Sequence, residues 1–155
     1  MYEERLVELL TEKKLIISTA ESCTGGMVAS EIINVAGASE VYSEGFITYS
    51  NKAKIKYLGV KKDTLDKYGA VSSQTVYEMA EGCAANTGAD ITVVTSGFAG
   101  PAGGTEEMPV GLVYFACFYQ GKVTVKKQIF SGDRMEVRKA ASEYAIKFAL
   151  DIIEN

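Results

Sequence analysis

LIISTAESCTGGMVASEIINV, residues 15–35, opens on an apolar run, passes through a polar turn that closes on two glycines, and resumes with apolar residues at helical spacing. The run at 15–17 reads as a buried strand ending near Ala20. Val28, Ile32 and Ile33 recur at the intervals of one helical face, in a helix over residues 27–35 that Gly37 ends. Strand therefore runs straight into helix, with Ser22 at the reversal. Such a turn leaves the first backbone N–H groups of the helix without intrahelical partners, and Gly25 and Gly26 remove the side chains that would hold a ligand away from them. Taken alone, the stretch is also satisfied by Ser22 or Thr24 acting as a helix cap.

Outward from this unit the chain keeps alternating two periodicities. Tyr2, Leu6, Leu9 and Leu10 mark a helix before it. Residues 41–50, containing GFITYS, form a second strand that meets a short helix over 51–58 with Asn51 as its cap. A short helix over 63–68 stops at Gly69, and a longer one opens at Ser73 with Val76, Met79, Ala80 and Cys83 on one face. A buried strand at 91–95 enters the loop GFAGPAGGT (97–105). Residues 111–119 and 122–130 then pair around Gln120-Gly121 as an antiparallel hairpin. Asp133 and Glu136 form a capping-box pattern ahead of Val137, Ala141, Tyr144, Phe148 and Ile152. The expected fold is α/β: a three-layer sandwich in which a mixed β-sheet is covered by helices, with an antiparallel hairpin near the C-terminus, in one domain over residues 1–155.

Composition narrows the chemistry. With 47% hydrophobic and 23% charged residues over 155 positions, the chain has the make-up of a globular domain. No apolar run approaches the ~20 residues of a membrane span, so a cytoplasmic location is expected. A net charge of −4 argues against a general grip on nucleic acid, and neither nucleic acid nor membrane is an expected partner. Cys23, Cys83 and Cys117 are too dispersed for a metal knuckle and read as reduced, buried thiols. The count of zero histidines decides most: it removes Ser-His-Asp and Cys-His catalysis and histidine-zinc sites together. Acid–base work falls to lysine, tyrosine, carboxylates or water.

YSNKAK puts Tyr49 at a strand end and Lys52 and Lys54 in the first turn of a helix, where a cation opposes the macrodipole. That field lowers a lysine pKa by less than about one unit. Bringing it to the range of a general base takes roughly 4 kcal/mol, which burial or a second cation, Arg134 or Arg138, must supply. GFAGPAGGT has no Walker lysine, and no strand is followed by GxGxxG, so kinase, GTPase and dinucleotide-dehydrogenase readings lose support.

AESCTGG, YSNKAK with LGV after it, GFAGPAGGT followed by PVG, and SGDRMEVRKAA, in that order, resemble the CinA C-terminal domain family over nearly the whole chain. The resemblance implies an α/β sandwich and a nicotinamide-nucleotide amidase, converting nicotinamide mononucleotide to nicotinate mononucleotide and ammonia. By position it implies Ser22 as nucleophile, Tyr49 and Lys54 as the acid–base pair, and Arg138 as the arginine of the final motif, with Lys52 the less favoured lysine. On this reading Lys54, hydrogen-bonded with Tyr49 as a relay, takes the Ser22 proton, and the ESCTGG amides with the Ser96 hydroxyl hold the oxyanion. Thr24, Gly25, Gly26, Asn51, Ser96, Gly97, Gly100, Gly103, Gly104, Thr105 and Arg138 are the expected substrate-binding set, with Arg138 and the glycine loop on the phosphate. Relatives usually carry threonine at Ser96 and glycine at Ala102, where a positive φ would strain alanine. No metal and no cofactor is implied. The expected partner is the small nucleotide substrate, and a homo-oligomer stays open. The alternatives are a catalytically weak nucleotide-binding regulatory module, an interaction protein of DNA uptake or repair, and phosphate-ester chemistry on another nucleotide.

Overall fold

In the computed structural model, which describes residues 1–155, α1 (Tyr2–Lys13) leads into β1 (Ile17–Glu21), and α2 (Met27–Ile33) follows the ESCTGG turn. Lys14, at φ 58, closes α1, and Leu15 N–H returns to the Leu10 carbonyl, so Leu15 and Ile16 form the connection rather than the start of the strand. At its other end β1 runs one residue past the expected boundary, because Glu21 still pairs with Thr95 and Ile47. α2 ends at Ile33, short of Gly37, which instead opens a 3-10 turn, Ala38–Glu40.

β2 (Tyr42–Ile47) and α3 (Asn51–Leu58) make the second strand-to-helix junction; α4 (Lys62–Tyr68) and α5 (Ser73–Thr87) lead on to β3 (Ile91–Gly97). The caps fall one residue earlier than expected: Ser50 Oγ accepts from Ala53 N–H at 3.0 Å, and Ser72 Oγ from Thr75 N–H at 3.2 Å. β4 (Leu112–Tyr119) and β5 (Lys122–Ile129) form the expected hairpin, with Gln120 and Gly121 both at positive φ as its tight turn requires. α6 (Arg134–Glu154) opens with the full capping box of Asp133 and Glu136.

The five strands lie in the order β2-β1-β3-β4-β5, with β1 parallel to both neighbours and β4 and β5 antiparallel. The sheet is mixed, and helices cover both faces. Alternating side chains explain the two cores. Ile17, Val93, Phe115 and Cys117 face α1, α2 and α6, where Leu6, Leu10, Ile32 and Ile146 are fully buried. Ala20, Val94 and Ala116 face the other way, onto Leu58, Met79 and Cys83. Each such aliphatic side chain contributes roughly 1.5–3 kcal/mol by leaving water. On this second face Gly82 of α5 lies against the Leu58 carbonyl, which any β-carbon would strike. That close crossing sets how near α3 comes to α5. No helix is long and apolar enough to cross a membrane.

Candidate active site

The C-terminal ends of the three parallel strands converge on one cleft. Ser22 follows β1 directly, is 8% exposed, and is pinned by its N–H to the Thr95 carbonyl at 3.0 Å. Thr48, beyond β2, donates its N–H to the Glu21 carbonyl at 2.9 Å, which carries the chain into α3 beside Ser22. Lys54, one turn into α3, is 1% exposed, and its Nζ lies 3.2 Å from Ser22 Oγ and 2.8 Å from the Thr48 carbonyl it donates to. None of the ion pairs in the structure includes it.

Burial without a carboxylate brings the Lys54 amine down from 10.5 to about 8, the Cys23 thiol opposing slightly. The expected alternative of a neighbouring arginine is not what lowers it. Lys52 is exposed, so geometry selects Lys54. With the Thr48 carbonyl taking one hydrogen, a neutral amine at this position keeps a lone pair free beside the Ser22 hydroxyl. The adjacent Cys23 thiol is pushed up to about 11, chiefly by burial, and is no rival nucleophile.

The turn itself departs from expectation. Glu21, 1% exposed, accepts from Val28 N–H (2.9 Å) and Thr24 Oγ1 (2.6 Å) on one oxygen and from Ala29 N–H (3.1 Å) on the other. An internal carboxylate thus occupies the end of α2, where the sequence pattern predicts a ligand anion. Thr24, fully buried between Glu21 and Thr95 Oγ1 (2.8 Å), turns its side chain away from the cleft. Gly25 N–H is spent on the Ser22 carbonyl at 3.0 Å, and Gly26 lies against Ile47. The amides of Cys23, Thr24 and Gly26 donate to no backbone or side-chain oxygen.

Arg138 is also reassigned. Its Nε donates to the Cys23 carbonyl at 2.9 Å and a terminal nitrogen to the Thr24 carbonyl at 3.2 Å, so it braces the nucleophile turn instead of facing the cleft. In a planar trans peptide, fixing the Cys23 carbonyl fixes the Thr24 N–H in the opposite direction.

Ser22, Cys23, Tyr49, Asn51 and Lys54 share a cleft of about 260 Å³ with Ala70, Val71, Ser96, Gly97, Phe98, Ala99, Ala102 and Arg134. Tyr49, 61% exposed, accepts from Arg134 at 2.8 Å and has no bond to Lys54, so the expected relay is absent and the lysine meets the serine directly. The second arm of Arg134 donates to the Gly100 carbonyl at 2.6 Å, tying α6 to the glycine loop at the mouth. Ser96 donates its hydroxyl to the Ala70 carbonyl at 2.9 Å, which removes it from the oxyanion role. Gly100 itself, Gly103, Gly104 and Thr105 lie off the cleft wall; Thr105 Oγ1 closes the loop's own turn by accepting from Met108 N–H at 3.0 Å. Positive φ falls on Gly100 and Gly103, not on Ala102, so alanine is unstrained there.

Arg134, Ala70, Val71, Cys23, Phe98, Ala99 and Ala102 are the cleft residues that the motifs did not single out as site residues. Arg134 did carry a signal: like Lys54 it is a cation in the first turn of a helix, where the macrodipole disfavours it.

A family model described as the CinA C-terminal domain matches residues 1–153. A CinA-like protein of Kosmotoga olearia is 56% identical over 146 residues, 94% of this chain, and the chain spans about a third (35%) of that relative's length. Among solved structures, the competence/damage inducible protein CihA of Agrobacterium tumefaciens superposes with a TM-score of 0.95 at 39% identity, over 99% of this chain and 94% of that one. A CinA superfamily protein of Klebsiella pneumoniae gives 0.95 at 34% identity, over 99% and 96%.

Proposed function

Since the chain belongs to the CinA C-terminal domain family, and since its cleft is built on a serine and a buried lysine, we propose that it hydrolyses the carboxamide of nicotinamide mononucleotide to nicotinate mononucleotide and ammonia. The observation that carries this reading is the 3.2 Å approach of Lys54 Nζ to Ser22 Oγ in a chain without histidine.

Neutral Lys54 accepts the Ser22 proton as Oγ bonds to the carboxamide carbon. The resulting oxyanion lies toward the Cys23 and Thr24 amides, where one donor is typically worth about 3 kcal/mol. When the tetrahedral species collapses, the Lys54 ammonium returns its proton to the departing nitrogen, and ammonia leaves. Water then attacks the acyl-serine, giving its proton to Lys54, and Ser22 is regenerated. Arg134 at the mouth suits the ribose phosphate, its guanidinium fork already presented there by Tyr49 and Gly100.

The test is ammonia release from nicotinamide mononucleotide by the purified protein, with Ser22→Ala beside it. Release that disappears in the variant supports the reading. Saturable binding without release moves the protein to a nucleotide-binding module, and absence of both overturns the substrate.

A further inference from the structure

A second cavity lies far along α6 from the cleft. α6 passes over β3 and β4, and α5 covers the opposite face of β5. The α6-side face of β5 thus borders an open groove of about 720 Å³. Alternation sends Val123 and Val125 into the α5 core and puts Lys122, Thr124 and Lys126 on the groove side, opposite Tyr119, Cys117 and Phe115 of β4. The facing wall is the C-terminal half of α6, with Tyr144, Lys147, Phe148 and Asp151.

Two features point to a ligand. Lys122 and Lys126 line the β5 wall and Lys147 the α6 wall, its ammonium lying over the Tyr2 ring at 5.9 Å, and none pairs with a carboxylate, although the chain carries a net charge of −4 and Asp151 lines the same groove. Between them lie the half-buried rings of Tyr119 and Tyr144 over the buried Phe148; Tyr144 packs on Phe115, Phe130 and Phe148 and is held by Gln128 Nε2 donating to its hydroxyl at 3.3 Å, while Tyr119 makes no ring–ring contact. A cavity of this size falls in the range of small-molecule sites, about 300–1,000 Å³. The Tyr119 ring takes a base by stacking, and the ammonium groups of Lys122 and Lys126 take phosphates. We infer that this groove is a second binding site, for a small nucleotide carrying two or more phosphates, separate from the cleft at Ser22. The net negative charge and the single short groove favour a mononucleotide over a polynucleotide strand.

The experiment is an amide NMR titration of the full chain with ADP, alongside adenosine and pyrophosphate as its separate parts. Saturable shifts at residues 119–126 and 144–151, with ADP at least tenfold tighter than either part, are expected. Lys122→Glu/Lys126→Glu should weaken ADP at these amides tenfold or more, and Ser22→Ala should leave it unchanged. Should the double charge reversal disturb folding, Lys122→Gln/Lys126→Gln gives the same reading. Shifts confined to the cleft, unchanged affinity in the lysine variants, or tighter binding of a thymidine oligonucleotide than of ADP would each overturn the inference. Because these readouts are independent of ammonia release, failure here and failure of the amidase reading are distinguishable.

Discussion

Replacing Lys54 with methionine should destroy turnover and, below pH 8, stabilise the fold. The folded chain holds the Lys54 amine at about 8, against 10.5 for the free side chain. At ~1.4 kcal/mol per pH unit, that gap is a penalty of roughly 3 kcal/mol on folding with a charged lysine. The sign follows from proton binding. Below pH 8 both folded and unfolded chains carry the proton and the penalty is complete. Between 8 and 10.5 the unfolded chain keeps a proton that the folded chain has released, so wild-type stability rises with pH across that window. Methionine fills the same buried space without the charge, but it leaves the Thr48 carbonyl without its donor, at a cost of about 1–3 kcal/mol. The net at pH 7 is a gain of roughly 0–2 kcal/mol for the variant, or up to several degrees in Tm for a chain of this length. The difference between the two proteins is the sharper readout, because the lost hydrogen bond does not depend on pH. Measured by urea unfolding at intervals from pH 7 to 10.5, the variant's advantage should shrink by roughly 3 kcal/mol across the window. In parallel, wild-type kcat/KM should climb about tenfold per unit below pH 8 and level above it. A stability difference that stays constant from pH 8 to 10.5 would refute the buried, unpaired amine, and with it the base assigned to Ser22.

Tyr49→Phe should change kcat by only a few-fold, since the tyrosine hydroxyl meets Arg134 and not Lys54; a thousandfold loss in steady-state turnover would restore the relay. Arg138→Met should lower kcat about 10²–10³-fold with KM little changed, because the arginine orients the turn that bears the proposed oxyanion amides; a rise in KM alone would return it to the phosphate. Ser96→Ala should cost about 1–3 kcal/mol in denaturant stability, leaving the Ala70 carbonyl unpaired, with kcat nearly intact. Gly82→Ala should abolish cooperative unfolding at 25 °C, or lower Tm sharply, because the new methyl meets the Leu58 carbonyl.

The elements of the fold were legible because each is written in a local period. The apolar spacing from Val137 to Ile152 and the capping box before it admit only a helix, and that helix formed. Cap positions slipped by one where two good cappers are adjacent. Ser50 or Asn51, and Ser72 or Ser73, are separated by which backbone is extended, and residue type does not encode that. The site was legible as residue types and less so as roles. Arg134 and Arg138 share one helical face and lie about 6 Å apart along the axis. Nothing local says that the first reaches the cleft mouth while the second reaches the carbonyls of the turn. The glycine loop and the ESCTGG turn both announced free amides. Only the folded chain reveals that Glu21, a residue of the same motif, already fills the end of α2.

Strand order joins these points. β1 has β2 on one side, reached through α2, and β3 on the other, reached through α3, α4 and α5 on the opposite face. The chain thus changes direction at β1, and in open α/β sheets a crevice opens outside the strand ends at such a switch. Ser22, Tyr49 and Gly97 lie at the C-terminal ends of the three strands that meet there, and α3 enters from β2 with Lys54 pointing back over β1. A histidine at such a place would be a usable base even in contact with water. A lysine becomes one only where water is excluded and no carboxylate follows it in. The Gly82 crossing, which lets α3 sit close, and the packing of Leu58 into the second core are therefore as much a part of the proposed chemistry as the amine they bury.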